Sequence, residues 1–286
     1  MKKRTGFTII ETSLAMIFVA VLLITVAMII MQMTSLYQKT IAIKTVNTTG
    51  QEIVDEISRT AGESSIINRK NMCNNLGSQE YYNQCVKDSA YNFVYHQFYS
   101  NDIYIGNRRT DEAVPTSGVF CTGKYSYIWN TGYVLKDNRA SNYRAKVTYN
   151  VPGRGSTTIS DFRLLRTIDI GGKVCASNLN GNTYSITKAA NNVTYTLSTA
   201  EAPRELLDEA EKQLAIYDMK VFRPARHSAS GHAYYSGTFT LATLTGDIDI
   251  TASGNYCTSP PSGIVSDFSY CAINKFNFAV QATGEE

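Results

Sequence analysis

The sequence predicts an α+β protein in which a long N-terminal helix packs on a disulfide-stabilised, antiparallel β-sheet domain. Residues 14–31 form an apolar run that only Thr25 interrupts. An amphipathic pattern continues from this run to about Ala61. The remaining residues hold short segments rich in β-branched and aromatic side chains, separated by Asn, Gly and Ser. We therefore expect one helix over about 7–61 and a β-rich globular domain over 62–286.

The apolar run is long enough to cross a membrane as a helix, which takes about 20 residues. Lys2, Lys3 and Arg4 precede it. Because basic residues stay on the cytoplasmic side, the C-terminal part is expected to be exported. A cleaved secretory signal is disfavoured, since its apolar region would be shorter and would end in a small-x-small site. A plain membrane anchor explains the basic head and the run, but gives no reason for Glu11, one turn before the run.

The second half of the predicted helix is apolar on one side only. A continuous helix over 7–61 would be roughly 80 Å long. A free membrane anchor has no need of this half, whereas a helix that also packs on a domain does. We expect the weak helix formers Thr48, Thr49 and Gly50 to bend the helix. The residues expected to face the domain are Leu36, Ile43, Val46, Gly50, Ile53 and Ile57.

Short strands with intervening turns account for most of the rest of the chain, and arrays of this kind favour an antiparallel sheet. Gly153 and Gly155 are expected to form a hairpin turn. One further helix is expected over 201–214, with Pro203 in its first turn. If the exported part holds two domains, 177–192 is the best place to divide it. Two short strands are expected within 118–135, around Gly123 and Asn130-Thr131-Gly132. The other strands are expected at 91–99, 143–149, 162–170, 193–197, 216–222, 234–244 and 276–280.

The charge balance argues against a general nucleic-acid surface. The chain has 27 basic and 24 acidic residues, and three of the basic residues are Lys2, Lys3 and Arg4. Without this basic head the balance is 27 − 3 = 24 basic against 24 acidic side chains. Nucleic-acid-binding domains usually carry a clear basic excess.

The cysteines are expected to form disulfides, because they are even in number and all follow the apolar run. None of them forms a Cys-x-x-Cys pair or stands at metal-ligand spacing from a histidine, so no metal site is expected. Sequence alone does not choose among about fifteen pairings. Local closure favours Cys257 with Cys271 and Cys73 with Cys85, which leaves Cys121 with Cys175. The six cysteines are Cys73, Cys85, Cys121, Cys175, Cys257 and Cys271.

No group of residues points to catalysis, and neither catalytic residues nor a cofactor are expected. His96, His227 and His232 are the only histidines, and no nucleophile elbow accompanies them. The glycine-rich stretch at 153–157 lacks the lysine of a P-loop. Two acidic residues, Asp247 and Asp249, are weak candidates for a cation site in a loop. The 19 tyrosines are expected mainly to be half-buried on a sheet.

The stretch Gly6-Phe7-Thr8-Ile9-Ile10-Glu11, followed by the apolar helix, resembles the N-terminus of type IV prepilins and type II secretion pseudopilins. The resemblance covers about the first 35 residues. It implies a leader over 1–6, cleavage by a prepilin peptidase between Gly6 and Phe7, methylation of the new N-terminus at Phe7, and a role for Glu11 in assembly. Many pilins carry a proline in the second half of this helix, where it loosens on assembly, but residues 7–60 contain none.

The function that the resemblance implies is structural: a subunit, and by its size a minor one, of a type IV pilus or related filament. Expected partners are the prepilin peptidase, other pilin subunits packed through their helices, and the membrane before assembly. The subunit would first be a single-pass inner-membrane protein and later part of an extracellular or periplasmic filament. The alternatives are a minor pseudopilin of a type II secretion or DNA-uptake system, and a membrane-anchored adhesin. An anchored exported enzyme is the least supported.

Overall fold

The computed structural model describes most of the N-terminal helix and most of the β region. The described residues are 8–64, 95–100, 103–105, 108–109, 113–136, 138–153, 155–170, 172, 174–175, 193–199, 201–207, 214–222, 232–244, 247–251, 254–258 and 272–283. They confirm an α+β layout with one long N-terminal helix followed by strands. The possible domain division at 177–192 lies outside the described residues, as do most of residues 65–94.

The N-terminal helix, α1, runs without a break over Ile9–Gly62. A second helix, α2, covers Gly132–Lys136, and a 3₁₀ helix covers Asn138–Tyr143. The strands are β1 (Tyr95–Ser100), β2 (Tyr104–Ile105), β3 (Arg108–Arg109), β4 (Val114–Cys121), β5 (Tyr125–Asn130), β6 (Lys146–Val151), β7 (Gly155–Ile159), β8 (Leu164–Ile168), β9 (Thr194–Ser198), β10 (Arg204–Glu205), β11 (Leu214–Phe222), β12 (His232–Thr243), β13 (Asp247–Thr251), β14 (Gly254–Thr258) and β15 (Ile273–Thr283).

Three sheets make up the body of the β region. The main sheet has the order β1-β4-β5-β8-β10, and the helix-side sheet has the order β11-β12-β15. The mixed sheet has the order β7-β6-β9. Its β6–β9 pair is parallel, so the expectation of a purely antiparallel arrangement is wrong at this pair. The pairs β2–β3 and β13–β14 are separate antiparallel hairpins.

The helix packs on the inner face of the helix-side sheet, mainly against β15 and also against β12. Alternate residues of these strands point inward, among them Tyr235, Phe276 and Phe278, as expected for strands with one buried face. One buried apolar cluster joins these residues with Ile53 and Ile57 of α1 and with residues of the main and mixed sheets. The main, mixed and helix-side sheets therefore share a core with the second half of the helix.

Side chains join the main sheet to the helix-side sheet where their edge strands meet. The Gln97 amide on β1 donates to the Asp218 carboxylate on β11 at 2.9 Å, and its oxygen accepts the Met219 N–H at 3.1 Å. The Tyr95 hydroxyl donates to the Met219 carbonyl. These bonds provide partners for polar groups along the edge of β11 and hold the two sheets together.

Three predicted elements are wrong. The helix expected over 201–214 is absent where the chain is described, because Arg204–Glu205 forms β10 and Leu214 begins β11. The Glu205 carboxylate accepts the backbone N–H groups of Arg163 and Leu164, which ties this segment to the main sheet despite its helical pattern. The strand expected around Asn130-Thr131-Gly132 is instead the junction of β5 and α2, and Asp247-Ile248-Asp249 belongs to β13 rather than to a loop.

The hairpin turn at Gly153 and Gly155 is confirmed. These residues connect β6 to β7 with φ angles of 82° and 78°, a conformation that favours glycine. The strands β1, β4, β5, β6, β8, β9, β11, β12 and β15 overlap the predicted ones, with ends that differ by a few residues.

Gly50 brings the helix, which is unbroken there, into close contact with the sheet. A Cβ atom at Gly50 would lie 2.1 Å from Cζ of Phe276. The Phe276 ring is itself buried and stacks on Phe239 at 5.2 Å between ring centroids, so it has little room to move. Only glycine therefore allows the helix backbone to approach this ring so closely.

Gly50→Ala is expected to lower the free energy of unfolding by about 2 kcal/mol, since overpacking a filled core costs about 1–3 kcal/mol. At a solvent-exposed position inside a helix, replacing glycine with alanine would instead raise the free energy of unfolding by up to about 1 kcal/mol. The matched control is Gly62→Ala, because a Cβ at Gly62 meets nothing within 4 Å. Chemical denaturation of the full chain in detergent measures both variants. A Gly50→Ala protein at least as stable as the wild type would contradict the close contact.

Candidate functional site: the N-terminal helix

The first turn of α1 is held by a capping box between Thr8 and Glu11. Thr8 is the N-cap, and its hydroxyl oxygen accepts the Glu11 backbone N–H at 3.3 Å. In return, Oε2 of Glu11 accepts the Thr8 backbone N–H at 3.0 Å and the Thr8 hydroxyl at 3.1 Å. This reciprocal pattern satisfies donors that a helix N-terminus otherwise leaves without partners. Glu11 therefore has a local role within its own helix.

The first half of α1 is apolar and exposed on every side. It contains the most apolar window of the helix, and none of that window is buried within the chain. Its few hydroxyl groups are satisfied by the helix itself: Ser13 donates to the Ile10 carbonyl at 3.0 Å, and Thr25 donates to the Leu22 carbonyl at 2.8 Å. The helix is thus long and apolar enough to cross a membrane, and the described side-chain hydroxyls of this half bond to the helix backbone rather than requiring water.

The helix meets the β region later than the amphipathic pattern predicts. Leu36 and Ile43 were expected to face the domain, but they are 67% and 45% exposed. Burial begins at Ala42, which is half-buried, and is nearly complete at Val46. From Ile9 to Ala42 the helix rises roughly 50 Å at 1.5 Å per residue. This rise exceeds the hydrocarbon thickness of a bilayer, about 30 Å, so a stretch of helix also separates the apolar run from the β region.

Polar contacts fix the second half of the helix at several levels. Oδ1 of Asn47 accepts the side-chain amide of Asn274 on β15 at 2.7 Å. Farther along, the Thr60 and Tyr127 hydroxyls share a buried hydrogen bond. At the helix end the hydroxyls of Ser64 and Thr122 lie 2.7 Å apart. These bonds reach β15, β5 and the turn after β4, so the last turns of the helix are attached to both the helix-side and the main sheet.

A group of charged residues surrounds the end of the helix. The Glu56 carboxylate pairs with Arg166 on β8 and, at 2.7 Å, with Arg59 one turn along the helix. Glu63 pairs with Arg59 at 3.1 Å and with Lys124 at 3.6 Å. Burial raises the pKa of Glu56, but the hydrogen bonds from Arg59 and Arg166 outweigh it and hold this pKa below its ordinary value. Glu56 is therefore a stable anionic partner for the main sheet.

The disulfide Cys121–Cys175, which the sequence left by elimination, is confirmed. It connects the end of β4 to the segment that follows β8. The Ser126 hydroxyl lies 3.1 Å from Sγ of Cys121 and donates to the buried Asp169 carboxylate at 2.7 Å. The same carboxylate accepts the Val174 backbone N–H at 2.9 Å, which positions the residue next to Cys175.

The other predicted site residues lie mostly outside the described part of the chain. This applies to Gly6 and Phe7 at the expected cleavage site, to Cys73, Cys85 and Cys271, and to His227; Cys257 lies in β14 without a described side chain. Their roles and pairings remain predictions. His96 stands on β1 beside the Phe98 ring, at 4.3 Å between ring centroids, and burial lowers its pKa. No group of three or more His, Cys, Asp or Glu side chains within the described residues could hold a metal ion.

The expected apolar contacts of the helix are confirmed at Val46, Gly50, Ile53 and Ile57, which are buried, but sequence reasoning did not find its polar contacts. Thr60 and Ser64 stand at i and i+4 on the buried face, and this placement of small polar residues in line with Ile53 and Ile57 was a usable signal. The partners Tyr127, Arg166 and Phe276 come from distant strands, and no pattern in the sequence links them to the helix. Comparison with protein-family models, curated proteins and solved structures found no match.

Proposed function

We propose that this chain is a pilin-like subunit, which is anchored in the membrane as a precursor and later packs its N-terminal helix into the core of a type IV pilus or related filament. The observation that carries the proposal is the single unbroken helix Ile9–Gly62. Its first half is apolar and exposed all round, and its second half is built into the core of the β region. The prepilin-like stretch at 6–11 supports the same function.

The firm attachment of the helix distinguishes this proposal from a plain anchor. A tethered adhesin needs only a span and a linker, and a flexible linker serves it well. Here the helix continues beyond its first contacts with the sheet. Gly50 contacts β15, Glu56 pairs with a residue of β8, and Thr60 bonds to a residue of β5. Because the helix is attached at several points, the position and rotation of the helix determine those of the domain. A filament subunit requires such a fixed arrangement.

The exposed apolar half suits two successive environments. In the membrane its side chains contact lipid, and in a filament they contact the helices of other subunits, where packing of apolar surface replaces lipid. Glu11 lies at the start of this half, where a carboxylate is less costly than at the bilayer centre. By resemblance to pilins, it would meet the N-terminal amine of Phe7 on another subunit.

The size of the exported part favours a minor subunit, since more than 200 residues follow the helix and major pilins are typically smaller. A minor pseudopilin of a secretion or DNA-uptake system would use the same helix in the same way. The genes that neighbour this one distinguish these systems.

The proposal is tested by mass spectrometry of the intact mature protein purified from its native membrane. The expected mass is that of a chain that begins at Phe7 and carries one added methyl group. Gly6→Val is the control and should retain residues 1–6, because a side chain there obstructs close approach of a peptidase to the backbone. A wild-type protein that begins at Met1, or that is cut beyond Met31, would reject the proposal.

A further inference from the structure

The outer face of the helix-side sheet carries two exposed aromatic rings. Among the described residues that follow α1, only Ile170, Phe222 and Tyr234 are exposed large hydrophobic side chains. Two of these three, Phe222 and Tyr234, share this face and are 59% and 49% exposed. Phe222 pairs with Ser236, so Tyr234 is its diagonal neighbour on β12, at a distance of roughly 7–8 Å between Cα atoms.

Each aromatic ring has a hydrogen-bonding side chain directly across from it. Ser236 stands opposite Phe222, and Gln281 stands opposite Tyr234. In the cross-strand row next to that of Phe222 and Ser236, Asn277 pairs with Thr238 and is exposed. Aromatic rings next to amide and hydroxyl groups on a flat surface can bind a ligand whose faces are apolar and whose edges are rich in hydroxyl groups. Sugar rings have this combination.

The face also carries positive charge. Lys220 is exposed next to Phe222 along β11, and Lys275 is exposed on β15, two cross-strand rows from Phe222. Asp218 is the one acidic side chain among the described outward-facing residues of β11, β12 and β15, and it is engaged by the Gln97 amide at 2.9 Å and by Lys220 at 3.6 Å. Lys275 lies in the same cross-strand row as Asp218, with Thr240 between them, so two lysines face a single carboxylate among the described residues of this face. A ligand on this face is therefore expected to be anionic.

We propose that the outer face of β11, β12 and β15 binds an acidic glycan, a saccharide chain that carries carboxylate groups. Phe222 and Tyr234 stack on the apolar faces of sugar rings, Ser236, Asn277 and Gln281 bond to their hydroxyl groups, and Lys275 pairs with a carboxylate. The strands are fixed by the core on their inner side, so the face is preorganised and little ordering opposes binding.

A single-stranded nucleic acid fits the face less well, although it too stacks on aromatic rings. Its binding depends on neutralising successive phosphates, and only two lysines are available here, one of them shared with Asp218. The residues after the basic head include 24 basic and 24 acidic side chains, so they provide no excess of positive charge that would attract a nucleic acid. Hydroxyl and amide groups outnumber cations on this face, which favours a glycan. The inference does not rest on filament assembly, because a single subunit presents the whole face.

The test is calorimetric titration of the full chain, held in phosphatidylcholine nanodiscs, with tetrasaccharides of hyaluronan and of polygalacturonate. At least one should bind, and the neutral chitin tetrasaccharide should bind more weakly. Phe222→Ala and Tyr234→Ala should each weaken binding by about tenfold. Lys275→Gln should reduce the dependence of binding on salt. Thr157→Ala, at an exposed position on β7, is the matched control and should bind as the wild type does.

Because the changed side chains are exposed, the variants should keep the unfolding transition of the wild type, which separates loss of binding from loss of fold. Failure of both acidic tetrasaccharides to bind would overturn the inference. So would binding that survives in both aromatic variants. A short oligothymidylate that binds more tightly than either tetrasaccharide, and loses its binding in the same variants, would assign the face to nucleic acid instead.

Discussion

Replacing Cys121 and Cys175 together with alanine is expected to lower the free energy of unfolding by about 4 kcal/mol. The two residues are 54 positions apart in the sequence, and a cross-link over a loop of that length removes about this much entropy from the unfolded chain. The closed loop contains β5, β6, β7 and β8. Without the disulfide, the segments that form two strands of the main sheet and two of the mixed sheet are no longer held in a closed loop when the chain is unfolded.

The loss should come from the unfolded state rather than from a damaged native site. Without the sulfur atoms the Ser126 hydroxyl still donates to Asp169, and Asp169 still accepts the Val174 N–H. No buried polar group therefore loses its only partner. The chain from Asp169 to Cys175 should keep its course in the folded variant.

Urea denaturation of the full chain in detergent distinguishes a lost cross-link from a lost packing contact. The less constrained unfolded state exposes more surface, so the slope of unfolding free energy against urea should rise in the double variant. Val119→Ala is the control, because Val119 is fully buried on the same strand and its truncation creates a cavity without opening a loop. A double variant whose stability and slope both match the wild type would contradict the expected stabilisation.

The sequence contained enough information to predict the helix and most strands, because both depend on local patterns. The apolar run and the one-sided pattern after it place α1 within two residues of its observed ends, 9 and 62. The expected bend at Gly50 stays a prediction, but the weak helix formers at 48–50 do not interrupt the helix, because propensity describes a helix in isolation, whereas Gly50 lies under the Phe276 ring. Tertiary contacts at such a position override the local preference.

The failures elsewhere have the same physical origin. The pattern at 201–214 is helical, but Glu205 instead satisfies two backbone donors at the edge of the main sheet. Leu36 and Ile43 fit the apolar stripe of the helix, yet they precede the point where the helix reaches the β region. Periodicity identifies a face of a helix without specifying where along that face a partner begins. The contacts of the helix with Arg166 and Tyr127 could not be predicted either, since pairing between distant residues leaves no pattern in a single sequence.

The proposed assembly role of Glu11 leads to the second large expected effect. Glu11→Gln should reduce the incorporation of the subunit into filaments by at least about a hundredfold, because breaking a buried ion pair costs about 3–5 kcal/mol. In the filament core the carboxylate would face the N-terminal amine of another subunit, and a neutral amide leaves that amine without its counter-ion. Membrane insertion should be unchanged, since the position lies near the interface.

The capping box provides the alternative explanation that this experiment must exclude. In the isolated chain Glu11 bonds to the backbone and hydroxyl of Thr8, so a loss of assembly in Glu11→Val could reflect a frayed first turn. Glutamine at the same position of a capping box can also reach the N-cap N–H, so Glu11→Gln preserves the cap and removes only the charge. Thr8→Ala does the reverse, because it removes the capping hydroxyl, worth about 1 kcal/mol, and keeps the carboxylate.

The two roles of Glu11 therefore predict opposite results. If the carboxylate pairs with an amine, Thr8→Ala subunits enter filaments at close to the normal level and Glu11→Gln subunits do not. If Glu11 serves only its own helix, Glu11→Gln assembles and Thr8→Ala is the impaired variant. Quantitative mass spectrometry of sheared filaments measures incorporation, and the same spectra of membrane fractions verify that each variant is processed at Gly6. Normal incorporation of processed Glu11→Gln would reject the ion pair and leave the helix as a capped anchor.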